Sequence, residues 1–189
     1  MPDNLLIDAV KTNFSEEQLV YALKNAWIKI YNQEPKKESL AILYAQIAVE
    51  IGRGKECYNW NLGNIKKTEN HKYCMFRCSE IIDGHEFFFN PPHPQTHFNA
   101  YENFEDGMFS YLNFLSKRKR YELAWQEVTN GNPVKYSAAL KVAGYYTASL
   151  KIYTNAIVSL FNEFVKKSDI LLSWQPELND QDREYFKQM

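Results

Sequence analysis

Glu50 is the first residue whose type and position together suggest chemistry. It stands three residues after Ile47 and seven after Leu43, on the apolar stripe of a helix predicted over 36–51. A carboxylate placed there is partly withdrawn from water, which penalises its charged form. It also falls in the last helical turn, where the aligned carbonyls oppose negative charge. Both effects push its pKa upward. A carboxyl protonated near neutral pH is what general-acid cleavage of a glycosidic bond needs. The plain alternative is a Glu at the edge of the stripe, swung out into solvent.

The other reactive residue types carry less. Cys57, Cys74 and Cys78 are three, so full pairing within a monomer is excluded. If Cys74 and Cys78 share one strand they stand about 13 Å apart, too far to bridge, although either could meet Cys57. A zinc site from these thiols and His71 lacks a CxxC pair, and free thiols are the preferred reading. His93 and His97, with His85 nearby, lie on a Pro-rich loop whose spacing does not put the rings on one side. No metal and no cofactor is expected. Lys117-Arg118-Lys119-Arg120 ends a predicted helix, where cations favour the dipole. It reads as a solvated helix end rather than a nucleic-acid patch.

The elements that position these groups follow from periodicity and caps. Ser15 with Gln18 forms a capping box opening a helix over 16–32. The helix over 36–51 carries Leu40, Leu43, Tyr44, Ile47 and Ile51 on one face and stops at Gly52 and Gly54. Residues 56–67 form a loop dense in Asn and aromatics, with Trp60 read as a loop anchor rather than a sugar platform. Strands over 73–82 and 85–89 flank Asp83-Gly84, a dipeptide suited to a hairpin turn. A Pro- and His-rich loop follows. Helical pattern resumes after Asn103, then over 121–130, over 133–143 with Asn132 as cap, and over 149–167. The result is one domain over 1–170, mostly α in the α+β class with a small β-hairpin lobe, and a tail over 171–189 that docks or stays flexible.

Composition agrees with a globular chain. The 189 residues carry 22 Lys+Arg against 23 Asp+Glu, and 45% are hydrophobic. A core of real size is available, and the near-zero net charge argues against a nucleic-acid binder. No run approaches the roughly 20 apolar residues of a membrane helix, so no membrane insertion is expected. The Met-Pro-Asp-Asn start lacks the basic and apolar regions of a secretory signal.

A resemblance sharpens the reading of Glu50. Ala45-Gln46-Ile47-Ala48-Val49-Glu50-Ile51-Gly52, followed by Asn61-Leu62-Gly63-Asn64-Ile65-Lys66, resembles the glucosaminidase-type peptidoglycan hydrolases of the autolysin and flagellar type. In that family a helix ends in a catalytic Glu and is followed by an Asn-Leu-Phe-Gly-Ile-Lys-like loop. Phe98-Asn99-Ala100-Tyr101 with Phe104-Glu105-Asp106-Gly107 is similar to its Phe-Arg-Ala-Tyr segment. Ala139-Leu140-Lys141-Val142-Ala143-Gly144-Tyr145-Tyr146-Thr147 resembles its Ala-Leu-Lys-x-Ala-Gly-Tyr-x-Thr stretch, and Tyr153 is close to the tyrosine that follows. The chain departs at Ile51, where the family commonly has Ser, and at Gly63-Asn64, where it usually has Phe-Gly.

The resemblance implies a lysozyme-like fold with a substrate groove between a helical lobe and a β-lobe. It implies Glu50 as the acid and Tyr145 bordering the bound N-acetyl sugar, with Asn61, Asn64 and Tyr101 as further substrate contacts. Glu80 is the implied second carboxylate, with Asp83 and Glu86 as rivals. The implied activity is cleavage of β-1,4 bonds in peptidoglycan, as an N-acetylglucosaminidase. The alternatives are a muramidase, a lytic transglycosylase, or a catalytically silent glycan-binding or phage structural subunit. Peptidoglycan strands are the expected partner, with a phage, secretion-apparatus or inhibitor protein as a further one. The expected place of action is the cell wall, reached by a phage particle, a secretion apparatus or lysis, or with a leader that is missing here.

Overall fold

The structure, a computed structural model, describes residues 4–82 and 84–176. The first helix, α1 (Glu16–Tyr31), opens on a reciprocal cap. Ser15 Oγ accepts from the Gln18 amide at 3.2 Å, and Gln18 Oε1 accepts from the Ser15 amide at 2.8 Å. The second, α2 (Lys37–Glu50), lies at the centre of the molecule, and every residue from Ser39 to Ala48 is buried. The expected one-sided stripe is therefore corrected. Ala41, Ile42, Ala45 and Ala48 are buried as well as the predicted face, the small side chains letting neighbours approach closely. A helix apolar all round is buried all round.

Four helices complete the body: α3 (Phe104–Lys117), α4 (Glu122–Asn130), α5 (Pro133–Val142) and α6 (Leu150–Ser173). α6 packs along α2, which also meets α1 and α4. Asn103, Asn132 and Ser149 each accept a backbone amide at the start of their helix, as three of the predicted helix starts require. α6 runs past its predicted end to Ser173, so the expected boundary at 170 falls inside it. Trp174, just beyond, packs edge-on against Tyr21 at 5.6 Å. The rest of the expected tail, residues 177–189 with Tyr185, lies outside the described residues.

The β-lobe holds two small antiparallel sheets rather than one hairpin. β2 (Cys78–Ile82) pairs with β3 (His85–Phe89) as expected, placing Glu80 opposite Phe87 and Ile81 opposite Glu86. β1 (Tyr73–Met75) instead pairs with β4 (His97–Asn99), so the predicted strand over 73–82 is two strands. β4 falls in the segment read as loop, because three residues are too few to display alternation. Cys74 and Cys78 thus sit in different sheets, and all three thiols are free. Burial pushes the Cys74 thiol up to about 11 and raises Cys57 as well.

The Asn-rich loop after α2 explains its own composition. Asn59, Trp60 and Asn64 adopt positive φ of 47°, 56° and 46°, a region Asn tolerates better than most residues. Asn59 also clips the N-terminal segment, accepting from the Val10 amide at 2.9 Å and donating to the Asp8 carbonyl at 3.1 Å. The Trp60 carbonyl presses so close to α3 that a Cβ on Gly107 would stand 2.1 Å from it. With its ring 5.3 Å from Phe104, Trp60 anchors the loop, as expected. The basic run is structural in part: Arg120 Nε donates to the Ala143 carbonyl at 3.1 Å and Arg118 lies over Phe114.

Candidate active site

The central position of α2 carries Glu50 into a group of tyrosines. Its carbonyl accepts from Asn64 Nδ2 at 2.6 Å, and its Oε1 accepts from the Tyr153 hydroxyl at 3.1 Å. Protein atoms surround the carboxyl, although the residue as a whole is only part-buried. Burial raises its pKa from about 4.5 to about 7; the Tyr153 hydrogen bond pulls the other way, and the Glu80 charge adds a smaller push upward. The dominant cause is packing around α2 rather than a position at the edge of a stripe.

Aromatic hydroxyls crowd this carboxyl. Burial first, and then the charge on Glu50, hold Tyr136, Tyr145 and Tyr153 far above the ordinary phenol range, so they stay neutral. Tyr146 lies flat on Tyr153 with ring centroids 3.6 Å apart. Lys141 fixes the turn that carries Tyr146, donating to the carbonyls of Thr147 at 3.0 Å and Ala148 at 2.8 Å. One turn before Glu50, the buried Gln46 Oε1 accepts from the hydroxyls of Tyr111, at 2.6 Å, and Tyr136. The sequence reading missed this floor. Its signal was a lone polar residue, Gln46, inside an apolar helical run.

Across from Glu50 stands the β2–β3 hairpin. Directly opposed residues share a face of a hairpin, so Glu80 lies on one face with Cys78 and Phe87, and Glu86 on the other with Ile81. Glu80 bears electrostatically on Glu50, whereas Glu86 is exposed on the other face. Asp83, the other rival, lies outside the described residues. Lys66 Nζ stands 3.2 Å from Glu80 Oε1, whose side chain is 32% accessible. Between the hairpin tip and the α5–α6 turn opens a recess of about 730 Å³, bordered by Ile81, Gly84, Lys141, Tyr146 and Ile152. A second recess of about 620 Å³, lined by Phe14, Tyr21, Trp60, Phe104 and Trp174, contains none of the groups around Glu50.

The predicted contact residues divide. Tyr145 and Asn64 come to Glu50, Tyr145 half-buried with its hydroxyl 3.4 Å from the Gly63 carbonyl. Asn61 does not face a groove. It is 1% exposed and spends its amide on Ile65 and Asn99, so it is a loop staple. Tyr101 is likewise buried, its hydroxyl accepting from Ser110 at 2.6 Å and Asn99 at 3.3 Å. It borders a separate polar recess with His71, Glu102 and Asp106. Among the described residues no three His, Cys, Asp or Glu side chains converge as metal ligands.

A helical body wrapped around a central helix, ending in a part-buried glutamate and faced by a carboxylate-bearing hairpin, is a mostly α fold with a small β-lobe. Solved structures share it. A mutant of a peptidoglycan hydrolase from Sphingomonas sp. A1 superimposes with a TM-score of 0.59 at 20% identity, over 92% of this chain and 99% of that one. The catalytic domain of the autolysin Auto from Listeria monocytogenes gives 0.56 at 19% identity, over 82% and 88%. The glycoside hydrolase domain of FlgJ from Salmonella typhimurium gives 0.52 at 17%, over 84% and 93%. No protein-family profile and no curated protein sequence matches the chain.

Proposed function

We propose that this chain is a peptidoglycan hydrolase that cleaves β-1,4 glycosidic bonds as an N-acetylglucosaminidase, with Glu50 as its general acid. The observation that carries the reading is the Glu50 carboxyl, held by burial at a pKa of about 7 with the charge of Glu80 bearing on it from the hairpin. At neutral pH about half of such carboxyls hold the proton that the leaving sugar oxygen needs. The glycosidic oxygen takes that proton as the bond to the anomeric carbon breaks and positive charge develops on the sugar. Glu80, paired with Lys66, then activates a water or stabilises that charge, with Tyr145 against the N-acetyl sugar. Separations of roughly 6.5–9.5 Å between the carboxyls suit direct water attack, and about 5–5.5 Å a covalent intermediate; attack by the substrate's acetamido group needs neither.

The names of the structural neighbours support the same substrate, and the cell wall is then the place of action. Among the described residues no helix is long and apolar enough to cross a membrane. Delivery by a phage particle, a secretion apparatus or lysis suits such an enzyme. The test is digestion of purified peptidoglycan by the parent and by Glu50→Gln, followed by mass analysis of the fragments. Reducing-end GlcNAc from the parent, with a loss of about 10²-fold or more in the folded Gln variant, is the expected result. Reducing-end MurNAc makes it a muramidase, and anhydro-MurNAc a lytic transglycosylase. No product from the folded parent leaves a silent glycan-binding or phage structural subunit.

A further inference from the structure

The loop that leaves α2 touches both candidate carboxylates. Asn64 grips the Glu50 carbonyl, and two residues later Lys66 meets the Glu80 carboxylate. The backbone between them is fixed from both sides: the Ile65 carbonyl accepts from the Asn99 amide at 2.9 Å, and the Lys67 amide donates to the His97 carbonyl at 3.0 Å. The Lys66 ammonium is equally constrained. It donates to the Gln95 carbonyl at 2.7 Å and lies 4.2 Å from the Phe98 ring centre. Exposed ion pairs usually contribute little because a long side chain must first be immobilised. Here a carbonyl and a ring already immobilise it.

The hairpin that carries Glu80, by contrast, is lightly attached. β2 and β3 pair only with each other, and among the described residues no backbone hydrogen bond joins them to another strand. Among the described residues the hairpin's side-chain fastenings include Lys66 to Glu80, Cys78 Sγ to the Gln95 carbonyl at 3.1 Å, and Phe89 stacked on His93. The first two converge, because Lys66 Nζ and Cys78 Sγ share the Gln95 carbonyl and stand 3.9 Å apart.

We propose that Lys66 is a positioning residue that, from the loop whose Asn64 holds Glu50, sets the reach of Glu80 toward Glu50. The inference rests on the reading of Glu80 as the second carboxylate. Lys66 transfers no proton and touches no reacting atom; it acts through Glu80. Its removal lets the hairpin lift and the two carboxyls drift apart, and misplacements on the order of 1 Å cost up to about 10²-fold in rate.

The experiment compares the parent with Lys66→Met, Lys66→Gln, Lys66→Arg, Glu80→Gln and the Lys66→Gln/Glu80→Gln double variant. Each is checked for folding by circular dichroism and assayed on soluble glycan strands. Loss of the charge should lower kcat about 10-fold with KM nearly unchanged, and Arg should restore most of it. In the Glu80→Gln background the further change Lys66→Gln should cost less than about 2-fold. Lys66→Gln keeps a donor for the Gln95 carbonyl, so it stands in if the Met variant does not fold. Alkylation of Cys78 by iodoacetamide, followed by peptide mass, gives a readout apart from activity. Lys66 lowers the Cys78 thiol pKa, so its loss by charge alone would slow labelling, and faster labelling reports a lifted hairpin. Full activity in both uncharged variants while Glu80→Gln is impaired, multiplicative losses in the double variant, or unaccelerated labelling each overturn the proposal. A fully active Glu80→Gln overturns the underlying assignment of Glu80 instead. If Glu80→Gln is wholly inactive, the labelling result decides.

Discussion

Replacing Glu50 by Gln should make the folded protein more stable, and increasingly so as pH rises. In the folded chain the carboxyl has a pKa of about 7, against about 4.5 for an ordinary glutamate. The sign follows from linkage: a group whose folded pKa is raised contributes stability that is complete below its unfolded pKa and lost as pH rises through the folded one. The gap of about 2.5 units, at 1.36 kcal/mol each, corresponds to roughly 3.4 kcal/mol between the two extremes. Most of it falls between about pH 5 and pH 8.5, and the residue's partial exposure trims it, leaving about 2 kcal/mol. Gln fills nearly the same volume and keeps an oxygen for the Tyr153 hydroxyl but has nothing to ionise. Urea unfolding of parent and variant at both pH values measures the difference directly. The gap should widen in favour of Gln by about 2 kcal/mol on going to the higher pH. A gap that stays flat would show Glu50 titrating like a solvated carboxylate, and the burial argument would fail with it.

Two further outcomes follow from single contacts. Tyr153→Phe keeps the stack on Tyr146 but removes the hydrogen bond that favours ionised Glu50, so the basic limb of the pH–rate profile should move upward by about one unit; movement to lower pH would contradict the assigned donor. Gly107→Ala forces a methyl to within 2.1 Å of the Trp60 carbonyl, and calorimetry should show a loss of about 3 kcal/mol or more; an unchanged Tm would mean the loop yields freely.

What could be read from the sequence was set by how local the signal was. Asn103, Asn132 and Ser15 bond amides three residues away, so those helix starts were legible to within a residue. The β-lobe depends on Tyr73 meeting Asn99 and on Leu6 meeting Tyr73, pairings between segments too short to advertise themselves. Glu50 was found from its place on an apolar helix and from the motif around it. Its surroundings were not, because Gln46, Tyr111 and Tyr136 meet across separations of 65 and 90 residues. Asn61 and Tyr101, expected as substrate contacts, show the converse: both are buried. A polar residue within a motif looks like a ligand contact until its hydrogen bonds are found to be spent on backbone and neighbours.

The central place of α2 also has a consequence for how the chain emerges during synthesis. Its ten consecutive buried residues have α6 as a main covering neighbour, and the donor to Glu50, Tyr153, lies 103 residues downstream. At translation rates of about 5–20 residues per second, an apolar helix waits on the order of 5–20 seconds for that cover. During that interval the nascent chain presents a sticky segment that a holding chaperone would recognise. The surroundings of Glu50 are also incomplete, since the packing that raises its pKa is finished only when α6 closes. The same late closure that exposes the chain to aggregation also delays the burial of Glu50 until α6 has been made.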